Sequence, residues 1–128
     1  MAKKILLVDD EELVIKSLEK LLKKQGFQVT CVGNGEQAIR SIEKEDFDLI
    51  VTDVRMPGLN GIDLIEQIRS ILKQKNRPLV PEICITGYAE QELNKRAEEL
   101  SVAGFLYKPF DLRDFLTCVN KHLNVGSP

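Results

Sequence analysis

Short unbroken apolar runs alternate along this chain with longer stretches whose apolar residues recur every three or four positions. Lys4–Val8 is an apolar run after its lysine, as expected for a strand buried on both faces. Leu13, Val14, Leu18, Leu21 and Leu22 then fall at helical spacing, and Gly26 closes that helix. Phe27–Val32 reads as a second strand, rich in β-branched residues, and Gly33-Asn-Gly35 as a turn. Ala38, Ile39 and Ile42 mark a second helix, Asp48–Thr52 a third strand, and Met56-Pro-Gly-Leu-Asn-Gly61 a loop of helix and strand breakers. Ile62, Ile65, Ile68 and Leu72 line a third helix, followed by a polar connection over Lys73–Pro81. Glu82–Thr86 is the fourth strand. Ala89–Leu100 is a weakly amphipathic helix whose clear inward positions are Leu93, Ala97 and Leu100. Val102–Tyr107 is the fifth strand, and Leu112, Phe115, Leu116, Val119 and Leu123 define the last helix. Five β/α units without a repeat predict an α/β fold, a parallel sheet with helices on both faces and right-handed crossovers.

Polar residues punctuate the apolar runs at one end. Ile5–Val8 ends in Asp9-Asp10, Leu49–Val51 in Thr52-Asp53, Ile83–Ile85 in Thr86, and Gly104–Tyr107 in Lys108-Pro109. In a parallel sheet these landmarks converge at the carboxyl edge, where open α/β sheets bind ligands. An acidic pair, a lone acid, a hydroxyl and an amine in one small space suit a divalent cation and a phosphoryl group. Asp53 is the candidate nucleophile, since a carboxylate can form an acyl phosphate; taken alone it reads more readily as a turn or helix cap, and its place at the end of an apolar strand opposite the other acids reverses that. Asp9 and Asp10 repel one another unless a cation neutralises them, and Mg²⁺ takes such oxygen ligands. They could also supply an acidic N-terminus to the helix starting near Glu11. Lys108 offers a point charge to a phosphoryl oxygen and Thr86 a hydroxyl donor.

Composition narrows the choices. The 128 residues are one domain's worth, 43% hydrophobic and 30% charged, enough for a packed core and a polar surface. A net charge of -2 without a basic run argues against direct nucleic-acid binding. The apolar stretches are too short for a membrane span or a signal-peptide core, so a cytoplasmic location is expected. Cys31, Cys84 and Cys118 form no CxxC pair and sit in apolar patterns, as small core residues do. His122, near the end of the last helix, reads as a surface residue.

Four blocks, Leu6-Leu-Val-Asp-Asp-Glu11, Asp53-Val-Arg-Met-Pro-Gly-Leu-Asn-Gly61, Ile85-Thr-Gly-Tyr88 and Lys108-Pro-Phe110, resemble the signature of the chemotaxis-regulator-like receiver domain of two-component response regulators. The resemblance spans essentially the whole chain. It implies a flavodoxin-like, doubly wound five-stranded parallel sheet of order 2-1-3-4-5 flanked by five helices. It places the receiver at residues 1–124, with 125–128 a tail or the start of a linker. It also implies phosphorylation of Asp53 from a histidine kinase's phosphohistidine, in a Mg²⁺-dependent reaction that the domain itself promotes without being a conventional enzyme. Asp10 and Asp53 would be direct metal ligands, Asp9 an outer or water-mediated one, and the backbone carbonyl of Arg55 a further one. Thr86 and Lys108 would complete the site, with the Lys108–Pro109 peptide cis. The implied partners are a sensor histidine kinase or phosphotransfer protein and a downstream output domain or protein. The latter would be controlled through the fourth helix and fifth strand, where Phe105 and Tyr107 share a face.

Arg55 and Tyr88 depart from the commonest choices of that family, at positions flanking the path of attacking water, and are expected to slow self-dephosphorylation. Three other readings compete. A haloacid-dehalogenase-type phosphatase needs a second acid where Arg55 stands. A flavodoxin needs a phosphate loop where Asp9-Asp10-Glu11-Glu12 would repel FMN. A phosphorylation-independent receiver-like adaptor usually lacks one of the site residues, and all are present here.

Overall fold

A computed structural model describes residues 2–123. Its elements run β1 (Lys4–Val8), α1 (Glu12–Lys24), β2 (Gln28–Val32), α2 (Gly35–Lys44), β3 (Leu49–Asp53), α3 (Gly61–Gln74), β4 (Glu82–Thr86), α4 (Gln91–Glu99), β5 (Gly104–Tyr107) and α5 (Leu112–Leu123). The five strands form one parallel sheet of order β2-β1-β3-β4-β5. The expected flavodoxin-like architecture is therefore present. Position 124 and the expected tail at 125–128 lie outside the described residues.

Strand parity divides the core. Ile5, Leu7, Leu49, Val51, Ile83 and Ile85 point to one face and pack with Leu18 and Leu22 of α1 and Phe115 and Val119 of α5. Leu6, Val8 and Ile50 point to the other and pack with Ala38 and Ile42 of α2 and Leu64, Ile68 and Leu72 of α3. A smaller cluster of Val54, Ile62, Ile65, Cys84 and Ala97 joins α3 to α4, with Leu93, Leu100, Val102 and Phe105 against it. Successive residues of these strands thus serve opposite layers, which is why the runs are unbroken rather than alternating.

Local signals set the element ends. Asn34 caps α2 by accepting the Gln37 amide at 2.9 Å, and Asn60 caps α3 by accepting those of Ile62 and Asp63, both at 2.9 Å. Gly26 follows α1 with φ +93°, a conformation that favours glycine. At the amino edge of the sheet, buried Glu82 of β4 receives a fork from Arg69 of α3, at 2.9 and 2.8 Å, while another Arg69 nitrogen donates to the Leu100 carbonyl after α4.

Several expectations need adjusting. Leu13 is 80% exposed rather than part of the α1 stripe. It lies half a helical turn away from Leu22, which is fully buried, so one helix cannot bury both. The fourth helix begins at Gln91, later than expected, and its N-cap Glu90 makes no side-chain capping bond. The fifth strand begins at Gly104 because Ser101 adopts a positive φ and Val102 turns into the α3–α4 cluster. His122 is half-buried instead of free on the surface, its ring lying against Gly104, and burial lowers its pKa. Cys84 is buried, whereas Cys31 and Cys118 are half-buried beside the α1–α5 core.

Candidate functional site

Four strands deliver one polar residue or pair each to the carboxyl edge. Asp9 follows β1, and its amide extends the β1–β2 ladder by donating to the Val32 carbonyl at 3.2 Å. Asp53 ends β3, and Thr86 ends β4. Lys108 follows β5, with its amide donating to the Thr86 carbonyl at 2.8 Å. The Lys108–Pro109 bond is cis. Together with Asp10, Glu11, Arg55, Met56, Pro57, Gly87 and Glu90, the last three of these residues line a cleft of about 640 Å³.

The approach of the carboxylates sets the electrostatics. Asp9, Asp10 and Asp53 each place a carboxylate oxygen within 4.8 Å of the others. Asp9 is fully buried; one of its oxygens accepts the Glu11 amide at 2.9 Å, while Oδ2 is buried without a hydrogen-bond partner. Burial, reinforced by Asp53 and only partly offset by that amide, pushes the Asp9 pKa up to about 6. Burial also raises the Asp53 pKa, against the opposing pull of Lys108. Lys108 Nζ lies 3.3 Å from Asp53 Oδ2 and 3.4 Å from Glu11 Oε1. Burial disfavours its ammonium, but Asp53, Asp9 and Glu11 outweigh burial and raise its pKa.

Such a set fits a hard cation. It offers oxygen donors only, carries excess negative charge and leaves one buried carboxylate oxygen unpaired. Gly61 permits this packing by close approach rather than by unusual φ. A Cβ there would stand 2.2 Å from the Asp53 carbonyl oxygen, so only glycine lets the start of α3 lie against the end of β3.

Thr86 lines the cleft, but its hydroxyl donates to Asn94 Oδ1 of α4 at 2.7 Å. Arg55 also lines the cleft, its guanidinium 2.9 Å from Glu90 ahead of α4. Tyr88 is not in the wall: it is 71% exposed and stacks on Tyr107, centroids 4.4 Å apart. Phe105 and Tyr107 share a face as expected, 6.3 Å apart. The sequence reading missed Glu11, Asn94 and the Arg55–Glu90 pair.

A family model described as the response regulator receiver domain matches residues 5–120. The chain belongs to the response regulator receiver family. Sporulation initiation phosphotransferase F of Bacillus subtilis is 31% identical to this receiver over 127 residues, covering 99% of the chain and 98% of that protein. Sensory/regulatory protein RpfC of Xanthomonas campestris pv. campestris is 31% identical over 106 residues, covering 83% of the chain but only 14% of that protein. The receiver spans about half the length of several other curated relatives. Among solved structures, a CheY-like receiver domain protein from Methanospirillum hungatei superposes with a TM-score of 0.87 at 26% identity, covering 97% of this chain and 95% of that one. No helix of the described residues is long and apolar enough to cross a membrane.

Proposed function

We propose that this receiver accepts a phosphoryl group on Asp53 from a phosphohistidine, in a Mg²⁺-dependent reaction, and relays the change through α4 and β5. The observation that carries the reading is the buried Asp53 carboxylate, 3.3 Å from Lys108 Nζ and within 4.8 Å of both Asp9 and Asp10. Asp10, Asp53 and the backbone carbonyl of Arg55 would hold the cation, with Asp9 acting through water. Bound there, Mg²⁺ supplies charge neutralisation between the acidic cluster and the incoming phosphoryl oxygens.

Asp53 then attacks phosphorus. Its carboxylate gains a P–O bond, the donor's P–N bond breaks, and the departing imidazole nitrogen keeps that electron pair and takes its proton from water. Lys108, already beside Asp53, follows the charge onto a phosphoryl oxygen, and Thr86 donates its hydroxyl to another. The partners on this reading are a sensor histidine kinase or phosphotransfer protein as donor, and an output domain or protein on the face carrying Phe105 and α4.

Acetyl phosphate with Mg²⁺ provides the test without a kinase. Intact-mass spectra should show one added phosphoryl group in the parent, none in Asp53→Asn and none when the metal is chelated. Lys108→Ala should fold normally, since the amine lies at the cleft rim, and should label at least about tenfold more slowly, the loss of one charge-assisted contact. Equal labelling of parent and Asp53→Asn would refute the acceptor. No labelling of the parent would favour a phosphorylation-independent adaptor.

A further inference from the structure

The Thr86 hydroxyl carries one proton, and Asn94 Oδ1 is its nearer acceptor, the Gly87 carbonyl lying farther off at 3.3 Å. Thr86 is 1% exposed and Asn94 8% exposed, and the bond between them is 2.7 Å long. Its direction follows from the surrounding chemistry. Asn94 also contacts the Gly87 carbonyl at 3.2 Å, and a carbonyl can only accept, so Nδ2 faces Gly87 and Oδ1 faces Thr86. Thr86 must therefore donate to Asn94. Phosphoryl oxygens also only accept. Thr86 cannot serve both partners at once.

We infer that Asn94 is a positioning residue that latches the Thr86 hydroxyl to α4, so that a phosphoryl group on Asp53 can engage Thr86 only by breaking this bond. The inference rests on the reading of Asp53 and Thr86 given above. Release has a second consequence. Asn94 Oδ1 would be left buried without a donor, which is costly, and the relief is to reach water by displacing α4. The latch thereby ties the chemistry at the sheet edge to the position of one helix.

The placement of the residue supports this role. Asn94 lies beside Leu93 and one turn before Ala97, both of which pack into the α3–α4 cluster. It is the polar member of an otherwise apolar inward face. An aliphatic side chain there would extend that cluster, whereas asparagine weakens it and gains only the bonds to Thr86 and Gly87. Those two bonds draw the start of the β4–α4 connection and the middle of α4 together.

The experiment titrates beryllofluoride, a phosphoryl mimic, in the presence of Mg²⁺ and follows binding by NMR. The proteins are the parent, Asn94→Leu, Asn94→Ala and Asn94→Asp, and each Asn94 change is repeated in a Thr86→Val background. Asn94→Leu and Asn94→Ala should tighten binding by about fivefold, the worth of one neutral hydrogen bond. Asn94→Asp, a charged acceptor, should weaken it by a similar factor or more. In the Thr86→Val background the Asn94→Leu and Asn94→Ala effects should vanish, and Asn94→Asp should keep only the through-space repulsion of its charge. A purely packing role for Asn94 would survive loss of the hydroxyl, so equal shifts in both backgrounds would overturn the latch. So would a parent that binds the mimic with the Asn94 variants unchanged. A parent that binds no beryllofluoride would instead defeat the phosphoryl reading itself, and the latch with it.

Discussion

Replacing Asp9 by asparagine should make the metal-free receiver more stable at neutral pH. The fully buried carboxylate has its pKa raised from 3.8 to about 6. Each unit corresponds to about 1.4 kcal/mol, so ionised Asp9 costs the fold about 3 kcal/mol. The sign follows from linkage. Well below pH 4 the group is protonated in both folded and unfolded chains and nothing is lost. Between about pH 4 and pH 6 the unfolded chain releases the proton more readily, so stability falls as pH rises through this window. Asparagine removes the charge but keeps the useful contact, because its oxygen can still accept the Glu11 amide. Its amide nitrogen would replace the unpaired oxygen and present a donor to Asp10 and Asp53. For a domain of this size the gain should raise the melting temperature by roughly 10 °C at pH 7 in chelator. The advantage should shrink to roughly 0.5 kcal/mol at pH 4. Excess Mg²⁺ should stabilise the parent strongly and Asp9→Asn weakly, through its affinity for the folded cluster. Urea melts at both pH values, with and without metal, decide the matter. An Asp9→Asn protein no more stable than the parent at pH 7 without metal would refute the account of a carboxylate strained by burial.

Gly61→Ala should lose about 2–4 kcal/mol in urea melts and bind Mg²⁺ more weakly. Its Cβ would lie 2.2 Å from the Asp53 carbonyl oxygen, and only backbone displacement at the site relieves that contact. Gly104→Ala should cost much less, since its nearest obstacle, His122 Nε2 at 2.9 Å, ends a rotatable side chain; equal losses would sink the distinction. On the proposed reading, Arg55→Ala should shorten the lifetime of the phosphorylated form by about threefold, because Arg55 lines the cleft. Tyr88→Ala should leave that lifetime near the parent's, its ring being stacked on Tyr107. Phosphate-release assays giving the opposite order would contradict both assignments.

The α/β fold was legible because short apolar runs alternate with helical stripes and four of the five runs end in polar residues. Glu82–Thr86 emerges as a strand with the expected limits, and Asn60 caps α3 where the breaker-rich loop ends. Leu13 was misread because apolar character alone does not say which side of a helix the core occupies. Convergence of Asp9, Asp10, Asp53, Thr86 and Lys108 at one edge followed from their places at the ends of parallel strands, while the strand order came with the receiver resemblance. The partner of Thr86 could not follow from it. Asn94 is eight residues away in a helix of low amphipathicity, and no periodicity distinguishes a buried asparagine with two bonds from an exposed one. A polar residue at spacing 93, 94, 97 was the available signal, and it became meaningful only beside the Thr86 hydroxyl. Arg55 and Glu90 pair across 35 positions of sequence, which local pattern cannot encode.

On the proposed reading, in which α4 shifts, the bonds of Arg69 to Glu82 and the Leu100 carbonyl would make the carboxyl end of that helix its hinge. The carboxyl end of that helix is pinned to α3 and to the floor of the sheet through Arg69, and again to α3 through Arg96, which binds Asp63 at 2.6 Å and also Glu66. Its amino end is held by the exposed Arg55–Glu90 pair, and its middle by the bond from Thr86. A rod fastened at one end swings at the other. Nine helical residues are about 13.5 Å long, so a tilt of roughly 10° carries the amino terminus on the order of 2 Å. The larger excursion would therefore fall beside the acidic cleft, which Glu90 lines, while the Leu100 end stays seated. Any partner that senses α4 by grasping its carboxyl end would feel almost nothing; one that spans its amino end and Tyr88 would feel the whole stroke.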